Sequence, residues 1–323
     1  MALLGGAAAV AACPRVSSAQ EATPVIALIN AGAADTAVRN VAAFRKGLSE
    51  AGIADSRDAA VEYHWLEGQY DRLPELLADL IRRRVAVIAT PGNTPATLAA
   101  KAMTTTIPIV FGVGEDPVKR GLVVSLAHPG GNATGINFFV HELVAKRLGL
   151  LHDLVPGAAR IAVLVNPANA LATEATLREA EDAARTLGLQ IHAVHAGTPD
   201  EIEAAFAAVV REKWHALFVG GDAFFFSRRG QFATLARRDR IPTCYGIREM
   251  AEAGGLMSYG TNVADMYRQV AVYAGSILKG ARPAVLPVVQ STKFEFVINL
   301  QTAKALALDV PPMLLAQADE VIE

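Results

Sequence analysis

The stretch "DRLPELLADLIRRRVAVIATPGN", residues 71–93, has a second copy in the chain, "DEIEAAFAAVVREKWHALFVGGD", residues 200–222. In each copy apolar residues at helical spacing lead through a short basic or polar turn into an apolar run of strand length. Each run then closes on glycine and a small polar residue. The two copies are offset by 129 positions, and "IPIVFGV" (107–113) recurs as "IPTCYGI" (241–247) at an offset of 134. A helix–strand unit repeated at domain length predicts two tandem lobes of the same topology.

Outward from this repeat the same alternation continues. "VIALIN" (25–30), "VAVIAT" (85–90) and "IPIVFGV" are apolar strands, and helical patterns such as "TAVRNVAAFRKGLSEAG" (36–52) separate them. The second half repeats the plan with "RIAVLVN" (160–166), "LQIHAVHA" (189–196), "HALFVGG" (215–221) and "IPTCYGI". Continuous apolar strands between amphipathic helices imply parallel sheets covered on both faces. The expected fold class is therefore α/β, with two doubly wound parallel-sheet lobes of like topology. At 323 residues, 52% of them hydrophobic, the chain is long enough for each lobe to bury its own core.

A formal net charge of −2 and 19% charged residues leave no basic field, so no nucleic-acid partner is expected. The mean hydropathy of +0.29 comes mainly from alanine, valine and leucine. The N-terminal run "ALLGGAAAVAA" is too short to span a bilayer, and Ser17 and Ala19 follow as small residues before Gln20. Residues 1–19 thus read as an export segment, although no basic residue precedes the apolar run. Cys13 in "VAAC" also loosely fits a lipoprotein cleavage site, and an N-terminal core helix is a third reading. With Cys13 removed, Cys244 has no partner for an internal disulfide.

Open parallel sheets bind ligands beyond the carboxyl ends of their strands. Six strand-end loops therefore supply the candidate binding residues. From the first lobe these are Asn30 and Ala31, then Thr90, Pro91, Gly92 and Asn93, then Gly114 and Asp116. From the second they are Asn166, Asp222, Phe224 and Tyr245. Glycine lets backbone N–H groups approach a solute, and Asn, Thr and Asp supply directional hydrogen bonds. The same residue types also make turns and N-caps, and for Glu115 and Asp116 capping is the favoured role.

Enzyme signatures are missing from these loops. No G-x-G-x-x-G follows the first strand, there is no P-loop, and "GLMSYG" (255–260) has the wrong spacing for a nucleophile elbow. His192 and His195 fall on opposite faces of a strand, which disfavours joint metal ligation. No catalytic constellation, cofactor or metal is expected.

Several longer blocks carry a family resemblance. "AAFRKGLSEAG", "EYHWLEGQYDRLPELLADLIRRRVAVIAT", "IPIVFGVGEDPVKRGLVVSLAHPGGNATGINFF" and "EAGGLMSYGTNVADMYRQVAVYAGSILKGARPAVLPVVQSTKFEFVINLQTAKALAL" resemble the ABC transporter substrate-binding family that includes tryptophan-type binding proteins. The resemblance runs from about Pro24 to the C-terminus. It implies a type I periplasmic-binding fold with three crossovers, capture of a small solute by lobe closure, and no enzymatic activity. It also implies ABC permease and ATPase subunits as partners, a periplasmic or otherwise extracytoplasmic location, and a leaning towards aromatic amino acids. A monomer is expected. A ligand-sensing module of a regulator or receptor would use the same fold, but no helix-turn-helix or signalling pattern accompanies the lobes; a hydrolase or dehydrogenase is disfavoured by the missing motifs.

The crossovers are expected near 135–139, 257–261 and 288–296. Lobe one would then comprise 24–136 with about 262–289, and lobe two 139–257 with about 293–323. Phe138 or Phe139 at the first crossover and Tyr259 at the second join the candidate ligand-binding residues. In "GGDAFFF", Asp222 is the expected N-cap of a helix. Its three consecutive phenylalanines diverge by about 100° each, with Phe224 expected to face the cleft. Asp222 is also the expected partner for a ligand ammonium.

Overall fold

The structure is a computed structural model that describes residues 23–54, 57–138, 143–291 and 294–323. The export segment, Cys13 and Phe139 lie outside the described residues. The first lobe is laid down as β1 (Val25–Asn30), α1 (Val38–Glu50), β2 (Ala60–Trp65), α2 (Leu73–Arg82), β3 (Val87–Pro91), α3 (Thr94–Met103), β4 (Ile109–Val113) and β5 (Ala133–Asn137). The second follows as α4 (Val144–Leu154), β6 (Arg160–Val165), α5 (Ala170–Leu187), β7 (Gln190–His195), α6 (Pro199–Arg211), β8 (Ala216–Val219), α7 (Ala223–Ser227), α8 (Arg229–Asp239), β9 (Thr243–Tyr245), α9 (Arg248–Glu252) and β10 (Met257–Thr261). The chain then returns to the first lobe with α10 (Val263–Leu278) and β11 (Val289–Gln290). It ends on the second with β12 (Phe294–Asn299), α11 (Leu300–Ala305), α12 (Pro312–Gln317) and β13 (Glu320–Ile322).

One sheet has the order β11-β5-β4-β3-β1-β2 and the other β13-β12-β10-β9-β8-β6-β7. Read from the β2 and β7 ends, both orders begin second, first, third, fourth, fifth. The sequence repeat is therefore a topological one, with β3 and β8 in equivalent places beside β1 and β6. Among the described residues every strand pair is parallel except β10 with β12, which run antiparallel from Met257↔Ile298 to Thr261↔Phe294. That exception arises because β12 re-enters the second lobe directly from the first, with no crossover helix to reverse its direction.

Local chemistry starts the helices where the repeat predicts. The Asn93 side chain caps α3 by accepting from Ala96 N at 3.1 Å, and Thr198 caps α6 by accepting from Glu201 N at 3.3 Å. A proline follows each cap in the first turn, where its missing N–H costs nothing. At the C-terminus of α5, Gly188 takes the left-handed conformation at φ 70°.

Each sheet has an apolar layer on both faces. Ile26, Leu28 and Val110 pack under α1 and α10, while Ile29, Ile88 and Phe111 pack under α2 and α3. The α1–α10 crossing is close: a Cβ on Gly47 would stand 2.1 Å from the Arg268 carbonyl oxygen, so only glycine permits it. This contact ties the returning helix to the first lobe and fixes where the N-terminus of α10 meets the opening between the lobes.

Candidate functional site

The carboxyl ends of both sheets border one cleft of about 870 Å³, its open mouth included. That is within the usual range for small-molecule sites. Asn30, Pro91, Gly92, Thr94, Gly114 and Glu115 come from the first lobe, and Asn169, Asp222, Phe226, Ile247 and Glu249 from the second. Phe138 and the start of α10, with Val263, Met266 and Tyr267, close the side where the lobes join.

The floor on the first lobe is held rigidly. Asn30 donates from Nδ2 to the Pro91 carbonyl at 3.1 Å and to the Tyr267 hydroxyl at 2.7 Å, and its Oδ1 accepts from Gly32 N at 2.7 Å. Its bonds join β1, β3 and α10. Thr94 donates to Glu115 Oε2 at 2.5 Å, holding a buried carboxylate beside the start of α3.

The opposing wall is built on Asp222. Its Oδ1 accepts from Asn166 Nδ2 at 3.1 Å, Phe224 N at 3.0 Å and Phe225 N at 3.4 Å, and its Oδ2 accepts from Asn169 Nδ2 at 3.0 Å. Burial pushes this carboxyl above the ordinary aspartate range, and the four donors oppose that shift. Oδ2, with one donor, retains capacity for another. Tyr70 in the first lobe feels both acids: burial raises its phenol well above the usual value, and the charges of Asp222 and Glu115 raise it further.

The sequence-derived candidates divide on this geometry. Asn30, Pro91, Gly92, Gly114, Phe138 and Asp222 line the cleft. Ala31 is fully buried behind the floor, Asn166 stands behind Asp222, and Asn93 is turned inward as a helix cap. Thr90 is wholly buried and bonds Thr97 Oγ1 at 2.8 Å, inside the first lobe. Asp116 caps the following turn through Val118 N at 2.9 Å and Lys119 N at 3.2 Å, and borders a side groove.

The aromatic expectations need correction. Phe224 does not face the cleft: it is 1% exposed, packed against Phe225, with its edge against Gly68 of the first lobe. The ring that reaches the cleft is Phe226. Asp222 fixes the start of α7, and two further residues of about 100° each carry the side chain round to the open face. Tyr245 is buried against Phe232, ring centroids 6.1 Å apart, because its strand position points to the helix-covered face. Tyr259 lies on the other side of β10, 6.2 Å from each of the Phe294 and Phe296 rings.

Sequence reasoning did not single out Glu249, Asn169, Phe226, Asn40 or Tyr267. The first three lie just past strand ends, Asn169 immediately before α5, Phe226 on the short α7 and Glu249 on the short α9. Asn40 and Tyr267 are on helices, and nothing in their own segments points to a cleft.

Polar contacts across the mouth of the cleft join the two lobes. Arg229 Nη1 donates to the Thr36 carbonyl at 3.2 Å, and Arg39 Nη1 lies 3.3 Å from Glu252 Oε1 and 3.8 Å from Glu249 Oε1. Among the described residues no group of three or more His, Cys, Asp or Glu side chains could hold a metal ion.

Two α/β lobes of matching topology around a shared cleft define the type I periplasmic-binding fold. Residues 24–322 match the model of the ABC transporter substrate binding protein family, and the chain belongs to that family. A "Tyrosine-binding protein" of Clostridioides difficile is 25% identical over 263 residues, covering 81% of this chain and 75% of that protein. The fold is shared with an ABC domain from Streptococcus pneumoniae solved in complex with L-Trp, at TM-score 0.82 and 22% identity over 93% of this chain and all of that one. It is shared less closely with the ligand-free, open structure of a Clostridium difficile substrate-binding protein with adhesive properties. There the TM-score is 0.63 at 22% identity, over 93% of this chain and 99% of the other.

Proposed function

We propose that this substrate-binding protein captures an aromatic amino acid or a close analogue in the cleft between its lobes, outside the cytoplasm, and presents it to the membrane subunits of an ABC importer. The carrying observation is the pairing of Asp222 Oδ2 with an apolar wall in one cleft. The carboxylate is buried, held by four donors and still able to accept from a ligand ammonium. Phe226, Ile247, Val263 and Met266 supply a surface for a ring. The backbone N–H of Thr94, in the first turn of α3, is the donor offered to a ligand carboxylate.

The relatives favour the same chemistry, since one is a tyrosine-binding protein and another was solved with L-Trp bound. The lobe arrangement also favours capture by closure. At equal identity and equal coverage, the fold superposes better on the L-Trp complex than on the ligand-free, open structure. The Arg229–Thr36 and Arg39–Glu252 contacts are the bridges such a closed arrangement needs.

A thermal-shift and calorimetric screen of aromatic amino acids, aromatic acids, aliphatic amino acids and sugars tests the reading. Aromatic amino acids should raise the melting temperature by mass action, by about 2.7 kcal/mol of added stability at a hundredfold excess over Kd. Binding only of sugars or small aliphatic solutes, with affinity unaffected by Phe226→Ala, would overturn it.

A further inference from the structure

Two buried acceptor oxygens in the cleft have no partner among the described residues: Oδ1 of Asn40 on α1 and Oε2 of Glu249 on α9. They come from opposite lobes, and Arg39, next to Asn40, reaches across to Glu249 Oε1 at 3.8 Å. A buried acceptor without a donor is costly, and natural structures rarely tolerate one without a reason. Here both residues line the same cleft, from opposite lobes, which makes a ligand-borne donor the economical reason.

The surroundings say what kind of donor. Ala37 is one turn before Asn40, Ile247 two residues before Glu249, and Val263 packs against the Ile247 cluster. These three side chains give the wall an apolar surface beside the two acceptors, and burial raises the Glu249 carboxyl above the ordinary glutamate range. A fully hydrated ammonium suits such a place poorly, whereas an N–H or O–H carried on an aromatic ring brings its own apolar body. Asp222, by contrast, sits in a cage of amide donors suited to an ionised partner.

We infer that Glu249 and Asn40 are specificity-determining residues that accept a hydrogen bond from a ring-borne donor, so the site selects phenol- or indole-bearing amino acids over aromatic ones that lack the donor. Arg39 is a positioning residue for this contact and couples it to lobe closure. The inference rests on the proposed capture of aromatic amino acids and adds the feature that discriminates among them. A site built around a donor rejects analogues without it because its own acceptors are left unpaired.

The test is isothermal titration calorimetry on the full chain with L-tyrosine, L-tryptophan, L-phenylalanine, O-methyl-L-tyrosine and 1-methyl-L-tryptophan. At least one donor-bearing amino acid should bind about tenfold or more tighter than its methylated counterpart, and phenylalanine should follow the methylated compounds. In Glu249→Leu, and separately in Asn40→Leu, that ratio should fall towards one. Equal affinities across the series in the wild-type protein would overturn the inference while leaving aromatic capture intact. So would a Glu249→Leu variant that weakens all five compounds by the same factor, since the carboxylate would then hold the amino group. Binding of none of the five would overturn the aromatic reading and the inference with it. The wild-type series needs no variant, so a misfolded mutant leaves the test in force.

Discussion

Replacing Asp222 by alanine and by asparagine separates its two roles, the internal network and the ligand contact. Alanine removes the acceptor for Phe224 N and Phe225 N, a helix cap whose loss typically costs about 1 kcal/mol. It also strands the amides of Asn166 and Asn169, buried donors whose desolvation costs about 1–3 kcal/mol each. The expected total is roughly 3–7 kcal/mol. At roughly 2–4 °C per kcal/mol for a unit the size of one lobe, the apo protein should melt at least about 6 °C lower. Asparagine behaves differently. Its carbonyl replaces Oδ1, which carries three of the four bonds, and its amide replaces Oδ2 opposite Asn169. The Asn169 Oδ1 is buried without a partner, so rotating that amide presents an acceptor to the new donor. The network survives without its charge, at a cost of about 1–2 kcal/mol. Ligand affinity should nevertheless fall by roughly thirtyfold or more, because a desolvated ammonium loses its counter-charge. Differential scanning calorimetry of the apo proteins and titration with the best aromatic amino acid supply both readouts. An alanine variant melting within about 2 °C of wild type would refute the network. An asparagine variant that binds as tightly as wild type would remove Asp222 from the ligand contact.

Three further outcomes are expected. Burial raises the Glu249 carboxyl in the folded state, so its protonation favours folding. That contribution is present below the ordinary glutamate value of about 4.3 and is lost as pH rises through the raised one. Glu249→Gln, which mimics the protonated group, should therefore melt higher than wild type at pH 8, with the gain gone by about pH 4; a gain independent of pH would contradict this. The Cys244 thiol is pushed up to about 12 by burial, so in protein beginning at Gln20 a thiol reagent at pH 8 should leave it unmodified until guanidinium unfolds the second lobe. Reaction of the native protein at the rate of a free thiol would show that the site opens. Small-angle scattering should give a smaller radius of gyration with a tight ligand than without, and Arg39→Glu should shift the apo profile towards the more extended form. Unchanged profiles at saturation would count against closure about the crossovers.

The paired lobes were legible in the linear chain because their determinants are local. An apolar run of strand length, a cap such as Asn93 or Thr198 and a stop such as Gly188 act within a few residues, so a repeat at an offset of 129 implies a repeated fold. The identity of Asp222 as a helix cap was legible for the same reason. Which ring reaches the ligand was not. The direction of Phe226 depends on the residue at which α7 begins and on the sheet it packs against, and neither is a property of three adjacent phenylalanines. Tyr245 and Tyr259 look alike at strand ends, yet one sits under Phe232 and the other beside Phe294, because the two strands present different faces at those positions. Asn40, Glu249 and Tyr267 come together only because α1, α9 and α10, far apart in sequence, converge on one opening. Sequence determined the lobes, since each is specified by contacts between near neighbours in the chain. Tertiary structure alone decided the cleft, since its walls exist only where two separately folded sheets and a returning helix meet.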